Sequence, residues 1–304
     1  MKDGEKAMNR KMSARGIPAG TQRKYEDLKK SLKGMGRVLV AFSGGVDSSL
    51  LLKTARDVLG RGAYAVTAAT EVHTAGETKE AKAVAAAIGV PLRVLRASVL
   101  GHPAFAANPP DRCYHCKNAL FSLFREIARA KGIPFIVDGS NVDDTSDFRP
   151  GQRALRELGV RSPLREAGLG KQEIRALSRR LGLPTADRPS LACLASRFPY
   201  GTKIGLENLR RVGAAEEVLR KLGFTQVRVR HHGAIARLEI EPGRFPAFMK
   251  RDVRKQAVRA LKKLGWKYVA LDLDGYRTGS LNEVLNPLRG IPGTSSIGRP
   301  RAAS

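Results

Sequence analysis

Residues 37–60 read RVLVAFSGGVDSSLLLKTARDVLG, which predicts a strand, a turn and a helix in direct succession. RVLVAF (37–42) is a β-rich apolar run, and beyond the glycines Leu51, Ala55, Val58 and Leu59 share one helical face. Between them stands Ser43-Gly44-Gly45-Val46-Asp47-Ser48-Ser49. Glycines let the backbone approach a phosphate, and the amides that open a helix point at it with the macrodipole behind them. Ser43, Ser48 and Ser49 add hydroxyl donors. Asp47 would repel a bare phosphate, so it makes chemical sense as the partner of Mg²⁺ on that phosphate. The plain alternative is a glycine turn with a Ser/Asp cap. Seven such residues between strand and helix favour a phosphate site. The GK[ST] ending of a Walker A loop is absent.

The alternation continues outward. AYAVTAA (63–69) reads as a strand, ETKEAKAVAAAIG as a helix closed by Gly89 and Pro91, and LRVLRA as a strand. A helix around NALFSLFREIARAKG and the strand PFIVDG follow. This rhythm predicts an α/β fold, a mostly parallel sheet with helices on both faces, whose ligands bind beyond the carboxyl ends of the strands. After about residue 201 the pattern changes. A helix (206–222), two strands turning near His232-Gly233, a basic amphipathic helix (about 244–264) and the strand KYVALDL suggest a smaller α+β domain. The expected division is a flexible basic leader (1–22), an α/β domain carrying the phosphate loop (23–200), a smaller α+β C-terminal domain (201–286) and a disordered basic tail (287–304).

Composition narrows the partners. The formal charge is +27, a field that favours anions such as nucleotides, RNA or acidic metabolites, or else reflects the host proteome. No apolar run is long enough to span a bilayer, and the first residues lack a signal peptide's apolar core. Three cysteines do not make a disulfide framework, so a reducing cytoplasm is expected.

Two further segments carry chemistry. DGSNVDDTSDFRPGQRA (138–154) follows an apolar strand and gathers Asp143, Asp144, Asp147, Arg149 and Arg153. At a strand's carboxyl end the carboxylates can hold Mg²⁺ or ribose hydroxyls, and the arginines can bind phosphate. The alternative is an Asx-rich solvated loop. Cys113 and Cys116 form C-x-x-C ahead of the predicted helix, and Cys193 lies far away in RPSLACLASRFPYG (188–201). A single C-x-x-C suits half a zinc site, a redox pair or part of an iron–sulfur cluster. Three thiolates from two segments suit a [4Fe–4S] cluster with one iron open, and a basic surrounding is expected to depress their pKa values. Three unrelated thiols are the bland alternative.

The loop SGGVDSS resembles the PP-loop of the N-type ATP pyrophosphatases. With NPPDRCYHCK, DGSNVDDTSDFRPG, SPLREAGLGKQEIRALSRRLGLPT, ACLASRFPYG and DLDGYRTGSLN, the chain from about 37 to 286 resembles the LarE family of ATP-dependent sulfur transferases. The resemblance implies adenylation of a carboxylate on pyridinium-3,5-biscarboxylic acid mononucleotide, then sulfur insertion, with the product serving a nickel-pincer cofactor. It implies that Ser43, Gly44, Gly45, Asp47, Ser48 and Ser49 bind ATP and Mg²⁺, with Asp144 and Arg149 nearby. Arg197 would be a phosphate ligand acting beside Cys193. Arg228 and Arg230, alternating out of a strand on one face, would suit the substrate's phosphate or carboxylates, or else form an exposed basic strand. Some family members sacrifice the sulfur of the ACL cysteine. Others carry three cysteines and resemble cluster-dependent enzymes, the kind that Cys113, Cys116 and Cys193 match. The family is also known for homo-oligomers.

Two rivals stand beside this reading. A tRNA thiolase of the same superfamily would suit the charge, although no RNA-binding module is recognisable. A non-enzymatic zinc- or nucleotide-binding regulator would show no ATP–pyrophosphate exchange.

Overall fold

In the computed structural model, which describes residues 16–145, 150–189, 192–277 and 279–285, the chain divides into two compact units. The first runs to Cys193 and includes Tyr200–Leu206; the second takes Leu194–Pro199 and the residues from Glu207 onward.

The first unit opens with helix α1 (Ala19–Met35) and continues β1 (Val38–Ala41), α2 (Val46–Leu59), β2 (Ala63–Ala69), α3 (Ala75–Ile88), β3 (Leu92–Arg96), α4 (Arg112–Ala130) and β4 (Phe135–Val137). Helices α5 (Gly151–Glu157) and α6 (Lys171–Arg180) follow. The strands form one parallel sheet in the order β3-β2-β1-β4. Successive side chains of β1 point to opposite faces, and each face is covered. Val38 and Val40 join a core with Leu28 and Leu32 of α1, Leu50–Leu52 of α2 and Ile174 and Leu177 of α6. Leu39 joins Phe121, Phe124 and Ile127 of α4 on the other side. Burying a leucine of this kind contributes about 1.5–3 kcal/mol, which is why the strands are near-continuously apolar.

Local chemistry sets the helix ends. The Thr74 hydroxyl accepts from the amide of Glu77 at 3.3 Å and caps α3. Gly89, at φ 80°, donates to the carbonyls of Ala85 and Ala86 and stops it where the sequence predicts. Helix α4 differs from expectation. It begins at Arg112, so Cys113 and Cys116 lie within its first turns rather than ahead of it. The polar start of that helix conceals it from a search for apolar periodicity.

The strand order places the loops that matter. β1 connects to β2 on one side and neighbours β4 on the other, so the chain leaves the two strands in opposite directions. Such a switch point opens a crevice at the carboxyl ends of the two strands.

The second unit holds helix α7 (Leu206–Lys221), the antiparallel pair β5 (Val227–His232) and β6 (Ile235–Ile240), helix α8 (Arg251–Lys263) and β7 (Tyr268–Leu271). β7 runs parallel to β6, and the order is β5-β6-β7. Gly233, at φ 58°, makes the expected turn. The basic helix is interrupted near Lys250, so a short helix Phe245–Met249 precedes α8.

Candidate active site

The loop between β1 and α2 lies at the switch point. Gly44 has φ 76°, and a Cβ there would come within 3.1 Å of Ala81 in α3. Across the crevice, a Cβ on Gly139 would lie 3.0 Å from the amide nitrogen of Ser48. Both glycines are required by close approach, and together they leave the amides at the start of α2 open to an anion. The hydroxyls of Ser43 and Ser48 are 3.1 Å apart, and Ser48 donates to the carbonyl of Gly45 at 3.1 Å. Ser49 is fully buried, and its Oγ has no hydrogen-bond partner among the described residues. An orphaned hydroxyl beside a glycine cradle fits a nucleotide phosphate.

Asp47 is held from two sides. Asn141 Nδ2 donates to Oδ1 at 3.3 Å, and Lys171 Nζ donates to Oδ2. Lys171 opens α6, and its amide donates to Asp143 Oδ2 at 2.6 Å. The Asp144 carboxylate accepts from the amide of Asn141 at 3.0 Å, and Asn141 Oδ1 accepts from the amide of Asp143 at 3.0 Å. The carboxylates after β4 therefore shape the loop that meets Asp47, and the turn bonding of an Asx-rich loop coexists with a place in the crevice. Asp147 and Arg149 lie outside the described residues. Arg153 stacks on Tyr114, 3.9 Å from the ring centroid, and pairs with Glu157 at 3.5 Å.

Sequence reasoning missed three residues here. Lys171 is the cation on Asp47; its signal in the sequence is Gly170-Lys171 at a helix start. Asp138, at the carboxyl end of β4, is buried and accepts from Ser140 Oγ and Ser162 Oγ, each at 2.6 Å. Ser162 reaches it because Arg161 bridges to Val137 in parallel register. Lys117 directs its ammonium to Asp138 at 3.9 Å. Its stem passes Gly151, where a Cβ would lie 2.9 Å from Lys117 Cδ and 3.1 Å from the Cys113 carbonyl oxygen. Contacts thus run from the helix bearing C-x-x-C to the strand end beside the phosphate loop.

Cys113 is exposed, whereas Cys116 and Cys193 are half-buried. All three belong to the first unit, and each of the others acts electrostatically on Cys116. The expectation of depressed thiol pKa values fails at Cys116. Burial pushes its pKa up to about 12; the fields of Cys193 and Cys113 add to this, and Lys117 and Arg112 offset only part. Among the described residues no three His, Cys, Asp or Glu side chains stand ready to hold a metal ion. Thiols are the donor type an iron–sulfur centre takes, and a bound cation would relieve the unfavourable ionisation of Cys116. His115 turns instead toward Asp111, at 3.6 Å.

In the second unit Arg228 and Arg230 are both buried, which removes the exposed-strand alternative. Arg230 makes a two-bond pair with Glu239, each bond 2.8 Å, and donates to the Ser196 carbonyl and to Ser280 Oγ. Arg197 pairs with fully buried Glu216 through Nε–Oε1 at 2.7 Å and Nη2–Oε2 at 3.1 Å. Burial raises the Glu216 pKa, but Arg197 outweighs it and the net shift is downward. Arg228 donates to the Val227 carbonyl and lies 5.0 Å from the Tyr276 ring centroid. It has no carboxylate partner within ion-pair distance among the described residues. Burial, and then Arg197, lower its pKa.

A parallel sheet with a glycine- and serine-lined loop and an acidic residue at its switch point defines a PP-loop ATP pyrophosphatase, and the Asparagine synthase family profile matches residues 25–122. The chain is 41% identical over 263 residues to pyridinium-3,5-bisthiocarboxylic acid mononucleotide synthase of Lactiplantibacillus plantarum, covering 86% of this chain and 95% of that one. It therefore belongs to the LarE family of ATP-dependent sulfurtransferases. An uncharacterized protein of Synechocystis is 43% identical over 262 residues, 86% of this chain and 98% of its own. A GMP synthase of Chlamydia caviae is 27% identical over 205 residues, 62% of this chain and 38% of its own.

Proposed function

We propose that this protein uses ATP to adenylate a carboxylate of pyridinium-3,5-biscarboxylic acid mononucleotide and replaces the activated oxygen with sulfur. The observation that carries this reading is the phosphate loop at the switch point, linked through Asp138 and Lys117 to the helix bearing Cys113 and Cys116. The relative named for the bisthiocarboxylic product supplies the substrate.

The amides opening α2 and the hydroxyls of Ser43, Ser48 and Ser49 bind the β- and γ-phosphates. Asp47 would hold Mg²⁺, which offsets phosphate charge. Lys171, displaced from Asp47 in that state, turns its ammonium to the phosphates. A substrate carboxylate oxygen attacks the α-phosphorus, the bond to pyrophosphate breaks, and an acyl adenylate remains. A sulfur nucleophile then adds to the acyl carbon, and AMP leaves with the bonding electron pair. Cys113, Cys116 and Cys193 would hold a [4Fe–4S] cluster with one iron lacking a protein ligand, a group that supplies sulfide. In the second unit Arg228, with Arg197 and Arg230 around it, offers a buried cation for the substrate's phosphate or carboxylates. A cytoplasmic homo-oligomer feeding nickel-pincer cofactor assembly completes the proposal.

The test is ATP–pyrophosphate exchange with and without the mononucleotide, joined to anaerobic iron and sulfide analysis. Exchange that requires the mononucleotide, with about four irons per chain, is expected. Zinc without iron would overturn the cluster, and dehydroalanine at Cys193 after one turnover would show sacrifice of its sulfur. Sulfuration of tRNA with no use of the mononucleotide would favour the thiolase.

A further inference from the structure

Helix α8 presents a half-cylinder of positive charge. Arg251, Arg254, Lys255, Arg259, Lys262 and Lys263 are all exposed, and Lys250 and Lys267 extend the patch at either end. Asp252 is the one acidic residue on α8. The opposite side carries the apolar residues, with Ala257 and Leu261 fully buried. Among the described residues, none of the eight cations makes an ion pair or a side-chain hydrogen bond.

Two bland explanations fall short. The first is a surface made basic only for solubility. Helix α7 of the same unit is also rich in arginine, yet there Arg211 pairs with Glu207, and Arg220 and Lys221 pair with Glu217. In α8, Arg251, Lys255, Arg259 and Lys263 follow one another at i,i+4, where like charges repel. The second is the helix dipole. It favours Lys262 and Lys263 in the last turn but opposes Lys250, Arg251 and Arg254 at the first. The repulsion is relieved when a polyanion lies along the face.

We infer that the α8 face binds the phosphate backbone of a nucleic-acid duplex. Thirteen helical residues span about 20 Å, and a duplex strand presents a phosphate about every 3.4 Å along its axis, so several cations meet phosphates at once. A lipid surface fits less well, because Ala257 and Leu261 turn inward and Val253 and Val258 are half-buried. The exposed apolar side chains nearby, Met249 and Tyr268, stand singly at opposite ends of the patch rather than as a stripe that could enter a bilayer. Helix α8 itself carries no aromatic side chain on which unpaired bases would stack; exposed Tyr268 stands outside it, next to Lys267, and a single ring at one end makes no stacking platform along the face. The contact is therefore to backbone, independent of base sequence, and is separate from the phosphate loop and the proposed reaction.

The test is fluorescence anisotropy of a labelled duplex against the full chain across a potassium chloride series. The variant Arg254→Gln/Lys255→Gln/Arg259→Gln/Lys262→Gln changes only exposed positions and keeps good helix formers. A control with equal charge loss changes Arg23, Lys30, Lys33 and Lys79 to Gln. Removing four phosphate contacts should reduce the slope of log K against log salt by about 3.6, with the control near the parent and ATP–pyrophosphate exchange unchanged in both. An unaltered slope in the α8 variant, or equal losses in variant and control, would overturn the inference. So would tighter α8-dependent binding to anionic lipid vesicles or to polyglutamate than to the duplex.

Discussion

Replacing Arg197 by methionine separates a buried strut from a ligand that merely awaits substrate. The Arg197 and Glu216 side chains are 3% and 0% exposed, and the guanidinium meets the carboxylate through two bonds. Removing one member of a buried pair typically costs about 3–5 kcal/mol, because the partner charge stays buried. Glu216 would retain Arg220 at 3.0 Å and the Val229 amide at 3.2 Å, which places the expected loss near the lower bound, about 3 kcal/mol. At roughly 2–4 °C per kcal/mol, melting falls by about 6–12 °C. Arg197→Met/Glu216→Gln removes both charges while the amide oxygen still accepts from Val229, so the double variant should melt above the single one. The assay is thermal melting followed by tryptophan fluorescence, since Trp266 is buried in the same unit. A single variant within about 2 °C of the parent, or a double variant no more stable than it, would refute the reasoning.

Asp47→Ala should abolish pyrophosphate release at a modest cost in stability, since the part-buried Asp47 loses its bonds to Asn141 and Lys171 while the Lys171 side chain, 29% exposed, can turn to solvent; retained adenylation would count against the loop assignment. Cys113→Ala, Cys116→Ala and Cys193→Ala should each lose iron from anaerobically purified protein, and iron retained in all three would place it elsewhere. His231 accepts from Trp266 Nε1 at 3.2 Å, which requires the neutral ring, and burial first, then Arg211 and His232, lower its pKa. Its folded pKa is therefore below the unfolded value of about 6.5. Stability should be full above about pH 6.5 and fall as pH drops through the folded pKa; in His231→Gln, urea midpoints should show less of this dependence.

Much of the first unit was legible because it rests on local rules. Apolar strands, a glycine turn and an amphipathic helix announce one another within 24 residues of sequence, 37–60. Gly89 ends α3 because only a left-handed residue can turn back onto the last carbonyls. The start of α4 was not legible, since Arg112 to Lys117 carry no apolar period. Lys171 and Asp138 were equally hidden. Their partners are 124 residues away at Asp47 and 24 away at Ser162, and residue type alone does not reveal such pairings.

The sequence by itself determined the chemistry on offer: a phosphate-binding loop, three thiols in two segments, a crowded acidic turn and a basic C-terminal helix. Spacing and residue type suffice there, because glycine freedom, thiol character and charge belong to single residues and short turns. Only the tertiary structure decided which of these meet. The reversal of strand order between β1 and β4 brings Asp47 to Asn141 and Gly139 to Ser48. Burial decided the rest. It raised the Cys116 pKa against its basic neighbours and turned Arg197 and Arg230 into paired cations, because desolvation and partner charge depend on how the whole chain packs.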